Sequence, residues 1–450
     1  MRTFDLEFTK EAAVFDDAQV KAVVDGLDAT DLIVVSHGWN NDVREATELY
    51  DELLGNVDRL LALRTNPEAP ASLQRLEGRT FAVPRLFWPS KRFAEEDLIP
   101  GGGAAGATSA NDAALERTLD ELARDPERLG DDGTSPVREK TVAEAKMLLP
   151  RLESDPDAQR RYVELLRSLT EQDDDSDDDA TASFFDADGP RLFRALEGPV
   201  TAPGPEPTGG ATSMHGAGSS ATDDGGAAGL GDLLTGVPAA ARRLANLTTY
   251  LRMKARAGKV GREGLAPVLR QIRATHGDVR LHLVGHSFGG RLVTAAAAAA
   301  ALDDNTPAVT ISLLQAAFSH NGLSADFDAG KPGGFRSVLG NRRASGPIVI
   351  THTKQDRAVG IAYPLASRIA FQNAASLGDK DDPYGGMGRN GAQRTQEVAD
   401  DERALAAVGH AYGFERGKVY NLLADEFISN HGDVRGPQVA YAILCAAGTD

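Results

Sequence analysis

The sequence predicts an α/β protein with a doubly wound, mostly parallel sheet. Three observations carry that expectation. Short β-rich runs recur along the chain, and the first strong one, Asp31 to Ser36, is continuously apolar and β-branched in its middle, as expected of a strand buried on both faces. Helical segments separate them, which is the pattern of βαβ units. One of the runs leads directly into Gly285-His286-Ser287-Phe288-Gly289, followed by an alanine-rich helix.

The first strong strand signal is Asp31 to Ser36, ending in His37-Gly38, with a helix expected from about Val43 to Leu63. Thr80 to Trp88 is a second buried strand, stopped by Pro89. Val279 to Val284 is the next, and it feeds the serine segment. Ala308 to Leu314, Pro347 to Thr351 and Lys418 to Leu422 complete the set. Between the second and third strands the chain changes character. A Gly/Ala stretch, Gly101 to Gly106, precedes helical segments near Asp112 to Leu122, Val142 to Thr170 and Pro190 to Leu196. Thr201 to Gly236 is rich in Gly, Ser, Pro, Thr and Ala, too poor in apolar surface to offset chain entropy. Helices follow over Val237 to Ala257 and Arg262 to Thr275. The expected organisation is a core of 1–90 and 237–450, a long helical insertion at 91–200 and a flexible, partly disordered linker at 201–236, both ahead of the strand that feeds the serine segment.

Composition narrows the function classes. The net charge of −18 disfavours nucleic acid and anionic membranes as general partners. Part of that charge sits in the run Asp173 to Asp179, broken only by Ser176, where solvated chain is the expectation. A single cysteine, Cys445, excludes an intrachain disulfide. The N-terminal stretch has early acids and no apolar h-region, so no signal peptide is expected; nor is a membrane span, since no apolar run is long enough. A soluble, cytoplasmic protein without a stable membrane anchor is the expectation. No phosphate-binding glycine loop, His-Glu-x-x-His or paired-cysteine spacing appears, so no metal or cofactor is expected.

A Gly-x-Ser-x-Gly segment is weak alone. Here it sits between a buried strand and a helix, the sharp turn that exposes a serine hydroxyl as a nucleophile. Gly285 and Gly289 supply the small neighbours that such a turn requires. A serine needs a base. Of nine histidines, His37, His282 and His286 belong to strands or turns, His215 to the linker and His276 to a connection. Among His320, His352, His410 and His431, the last follows the final strand, on a loop that returns to the carboxyl edge beside Ser287. Asp356, on the loop after Pro347 to Thr351, is the matching acid, in the order Ser287, Asp356, His431. Its other reading is a helix N-cap, and Asp425 is the rival acid. Backbone N–H groups of Phe288 and Trp39 are the expected oxyanion donors, with His37-Gly38 as the supporting turn. A plain turn capped by Asn40 or Asn41 is the alternative for that loop.

Together, His37-Gly38-Trp39-Asn40, the Gly285 to Gly290 elbow, Asp356 and His431 resemble the oxyanion loop, nucleophile elbow, acid and base of the α/β-hydrolase superfamily, in particular its bacterial serine esterases and lipases. The resemblance covers 1–90 and 237–450. It implies an α/β-hydrolase-type sheet, no cofactor, and hydrolysis of a small-molecule or lipid-like acyl substrate, an ester first, through an acyl-enzyme. Thioester or amide cleavage on the same residues, or a silent fold used as a binding module, are the alternatives. In that family the lid commonly follows the strand after the elbow, whereas this insertion precedes the elbow strand. Oligomeric state is not legible.

Overall fold

A computed structural model describes residues 1–90, 108–170, 178–179, 181–198, 235–302, 309–341, 343–356, 380, 382–399 and 403–449. The stretch Gly101 to Gly106 and residues 201–234 of the expected linker lie outside them.

Eight strands form one sheet, every pairing parallel. They are β1 (Arg2–Glu7), β2 (Asp31–Ser36), β3 (Phe81–Phe87), β4 (Arg280–His286), β5 (Val309–Leu314), β6 (Ile348–His352), β7 (Arg403–Ala404) and β8 (Val419–Leu423), in the order β1-β3-β2-β4-β5-β6-β8-β7. The helices are α1 (Asp17–Gly26), α2 (Val43–Ala62), α3 (Ala71–Gln74), α4 (Thr108–Ala123), α5 (Pro136–Leu148), α6 (Pro156–Ser168), α7 (Thr181–Asp186) and α8 (Gly189–Leu196). After the linker come α9 (Val237–Lys259), α10 (Ala266–Thr275), α11 (Phe288–Ala300), α12 (Ser337–Gly340), α13 (Met387–Asn390) and α14 (Pro437–Ala447).

Side chains alternate along each strand, so the apolar residues divide between two cores. Leu32, Val34, Leu281, Leu283, Ile311 and Ile350 join one apolar cluster, with α1, α9, α10 and α11. Ile33, Val35, Val83, Val284 and Val349 join the other, beneath α2 and α14. The sheet is therefore covered on both faces, as expected of a parallel sheet. At the start of β2, Asp31 is buried and accepts from Arg79 Nε (2.9 Å), His282 Nε2 (2.8 Å) and Thr30 Oγ1 (2.6 Å). Burial alone would raise its pKa. The Arg79 and His282 bonds outweigh that and hold the carboxyl well below its ordinary range.

Four expectations need correction. Val142 to Thr170 is not one helix: α5 ends at Leu148, a 3₁₀ turn covers Leu149–Arg151, and α6 begins at Pro156. Pro150 and Pro156 lack the N–H that a continuous helix would need. The helix expected from Arg262 begins at Ala266, because Val260–Leu265 is a π-helical turn joining α9 to α10. Two edge strands, β1 and β7, were not anticipated. The last two residues of the acidic run are not solvated either. Asp178 and Asp179 are buried, Asp179 pairs with the buried Lys254, and Asp178 accepts from Gly334 N (3.2 Å). Burial, then the neighbouring Asp179 charge, pushes the Asp178 carboxyl up to about 6. The rest of that run lies outside the described residues.

Leu115, Leu119, Leu122, Tyr162, Leu166 and Phe193 of the insertion lie in the same apolar cluster as the sheet and α9. Cys445 is buried with its thiol free. Among the described residues no helix is long and apolar enough to cross a membrane, and no group of three His, Cys, Asp or Glu could hold a metal ion.

Candidate active site

Ser287 stands at the junction of β4 and α11, with φ 56° and ψ −124°. A side chain at positive φ in a non-glycine residue is costly and persists only where the surroundings enforce it. Here they do. Ser287 N donates to Leu314 O (3.0 Å), while its carbonyl accepts from Gly290 N (3.0 Å) and Ala317 N (3.1 Å). A Cβ on Gly285 would collide with Gly289 O, and one on Gly289 with His37 O and Ser36 O. Both glycines of the motif are thus required by close backbone approach.

The loop after β2 lies against this turn. A Cβ on Gly38 would stand 2.6 Å from Ser287 Cβ. His37 holds the loop through its whole bonding capacity. Its N–H donates to Tyr50 Oη (2.7 Å), and its carbonyl accepts from Trp88 Nε1 (3.0 Å). Burial pushes the ring down to about 4, so it is neutral; Nδ1–H donates to Gly38 O (2.8 Å) and Nε2 accepts from Trp88 N (3.3 Å). The Trp88 indole stacks on the ring at 5.5 Å. Phe288, first residue of α11, has no intrahelical acceptor for its N–H. Its ring packs against Trp39 (5.9 Å) and Tyr250 of α9 (5.1 Å). The cap of α2 is Asp42, in a reciprocal capping box with Glu45, rather than Asn40 or Asn41. The 37–39 turn is therefore not needed to start that helix.

From the other side comes the loop after β8. His431 Nδ1–H donates to Asp356 Oδ2 at 2.8 Å; Asp356 is fully buried and the His431 side chain is 23% exposed. That bond leaves Nε2 as the basic nitrogen. Asp433 ties the loop by accepting from Ser429 Oγ (2.8 Å) and Ser429 N (3.1 Å). His286 secures it to the elbow: its Nε2–H donates to His431 O (2.8 Å), with the rings 4.9 Å apart. Burial, then the His431 charge, pushes His286 down to about 3, so it serves as a neutral donor. Asp425 performs another task. It accepts from Thr353 Oγ1 (2.5 Å) and Lys354 N (3.0 Å), bracing the loop that carries Asp356.

The structure thus brings Ser287, Phe288, the 37–39 loop, Asp356 and His431 to one edge of the sheet. Of the other candidate histidines, His320 and His352 are pushed down to about 3 and about 4 by burial, and His410 packs on Tyr412 at 4.9 Å. A helix beginning at Asp356 would lie outside the described residues. Two contributors were not anticipated: His286, treated only as part of the turn, and Tyr250. The only sequence signal for His286 is its place inside the serine motif, since its partner is 145 residues away. Chemically, the arrangement offers a serine hydroxyl on a positive-φ turn, a carboxylate-oriented imidazole on the neighbouring loop and, next in the chain, the helix-start N–H of Phe288. Against models of known families, curated proteins and solved structures, the chain has no match, and this geometry carries the functional reading.

Proposed function

We propose that this chain is a serine hydrolase of the α/β-hydrolase type, cleaving a carboxylic ester of a small-molecule or lipid-like acyl substrate through an acyl-enzyme on Ser287. The observation that carries the reading is Ser287 at φ 56° on the β4–α11 turn, with the His431–Asp356 pair bonded to that turn through His286. Ser287 Oγ attacks the acyl carbonyl as His431 Nε2 takes its proton. Asp356 holds the imidazole in the tautomer that leaves Nε2 free and stabilises the imidazolium. The N–H groups of Phe288 and Trp39 receive the developing oxyanion. His431 then protonates the leaving alkoxide, and water, activated in turn by His431, releases the acid.

The test is covalent labelling. A fluorophosphonate probe should modify the native chain at one site and leave Ser287→Ala unlabelled, with p-nitrophenyl ester turnover lost in the same variant. Its melting temperature should hardly move, because removing one hydroxyl at an unchanged φ costs little. Equal labelling of the two folded proteins would remove Ser287 as the nucleophile.

A further inference from the structure

Away from the proposed active site, α9 carries a second unusual environment. Arg252, Ala255, Arg256 and Lys259 share one face of the helix and line a small cavity closed by Lys10, Asp125 and Arg138. The cavity holds about 60 Å³, room for a few waters or one small oxyanion. Five cationic side chains and two carboxylates, Glu11 and Asp125, line it. In a chain of net charge −18, this is a local reversal of sign.

The imbalance is concentrated on Asp125. Its carboxylate faces Lys10 Nζ at 3.0 Å, Arg256 at 3.2 Å and Arg138 at 3.5 Å, and it is bonded to Arg252. Glu127 reaches Lys10 at 3.7 Å, and Glu11 is paired with Lys259 at 2.8 Å. The guanidinium donors are also held by carbonyls: Arg252 by Arg124 O (2.8 Å), Arg256 by Pro89 O (2.9 Å) and Arg138 by Leu169 O (2.7 Å). Such bonds orient the donors without neutralising their charge. Arg252 and Arg256 are 5% and 7% exposed, so water screens them poorly. Burial, then the charges of Arg256 and Arg138, pushes Arg252 down to about 9, consistent with a strongly positive interior.

We infer that this cavity is a binding site for a small multiply charged oxyanion of the phosphate class, with Lys10, Arg138, Arg252 and Arg256 as its ligands and Asp125 as the residue that limits its affinity. Planar guanidinium forks at two heights on one helix face suit the tetrahedral oxygens of a phosphoryl group. The inference does not depend on the hydrolase reading.

The experiment titrates the intact chain with inorganic phosphate by calorimetry at constant ionic strength. One saturable site is expected. Asp125→Asn removes the competing carboxylate and should tighten phosphate about tenfold, whereas Lys10→Gln and Arg138→Gln should each weaken it by about the same factor. Those two side chains are 24% and 21% exposed, so the variants should fold, and phosphate should raise the melting temperature of all folded forms in proportion to affinity. If the cations serve only as a structural clamp, Asp125→Asn will lower the melting temperature and bind no phosphate, and the inference fails. It fails equally if binding emerges only when Asp173, Asp174 and Asp175 are changed to Asn. That result would assign the cations to the chain's own acidic run, which follows Thr170 at the cavity rim.

Discussion

Gly38 gives the sharpest test of how the proposed oxyanion loop is built. An alanine there would place its Cβ 2.6 Å from Ser287 Cβ, 3.0 Å from His286 Nδ1 and 3.1 Å from His286 O. Carbon atoms in contact prefer about 3.5–4.0 Å, so the loop and the elbow must separate by about 1 Å. The elbow is the stiffer partner. It is fixed through Leu314 O, Ala317 N and the tight packing of Gly285 and Gly289. The 37–39 loop therefore moves, carrying the Trp39 N–H away from the oxyanion position. Overpacking of this kind costs about 1–3 kcal/mol of stability. A misplacement of about 1 Å, equivalent to weakening one oxyanion donor, should lower kcat about 10²-fold. KM should change little, because the bond matters chiefly when the carbonyl oxygen becomes charged. Steady-state hydrolysis of p-nitrophenyl butyrate, with a thermal melt of the same sample, measures both effects. A folded Gly38→Ala protein retaining kcat within about threefold of the parent would refute the assignment of this loop.

Two further outcomes are expected. Asp356→Asn should lower kcat about 10³- to 10⁴-fold by favouring the wrong imidazole tautomer. Asp425→Asn, whose amide oxygen can still accept from Thr353 and Lys354, should stay within about tenfold; the reverse ranking in ester turnover would exchange their roles. At the opposite end of the sheet, Asp31→Asn should cost about 3–5 kcal/mol at neutral pH, since Arg79 loses its buried counter-charge. The folded carboxyl is depressed below its unfolded value near 3.9, so its contribution is present above that pH and disappears as pH falls through the folded pKa. Urea melts should therefore show the gap between parent and variant narrowing below about pH 4; a gap independent of pH would mean that the ion pair contributes nothing.

Central strands were legible because burial on both faces writes a local signal: β2 has a continuous apolar centre, β4 and β5 are rich in Leu, Ile and Val, and the observed limits fall within two residues of the expected ones. Edge strands write a fainter one. In β1, Arg2, Thr3 and Asp5 are exposed while Phe4 and Leu6 are buried, an alternation too short to stand out. β7 is two residues long and exists through its pairing with Leu422 and Leu423. Pro150 and Pro156 are the local signals that divide Val142 to Thr170 into two helices. The burial of Asp179 had no local trace, because its partner Lys254 is 75 residues further on. Within the site, the serine turn could be read from adjacent residues. The His431–Asp356 contact rested on chain order, and the His286 bond on tertiary structure alone.

The same distinction between local and distant information bears on the insertion. Its described helices share apolar surface with the sheet and α9. α9 lies against α4 and α8 of the insertion and against α11, the helix that begins beside Ser287. Tyr162 of α6 donates to Ala241 O of α9 at 3.1 Å, while Arg291 of α11 donates from Nε to Lys254 O at 3.1 Å. Lys254 also pairs with Asp179, and the preceding Asp178 accepts at its carbonyl from Ser319 Oγ (2.8 Å), in the segment after β5. A helix whose opposite faces are buried by different parts of the chain cannot lose one cover without exposing apolar surface. The described helices between 108 and 198 therefore share one apolar core with α9, which packs in turn on α11, the helix that follows Ser287.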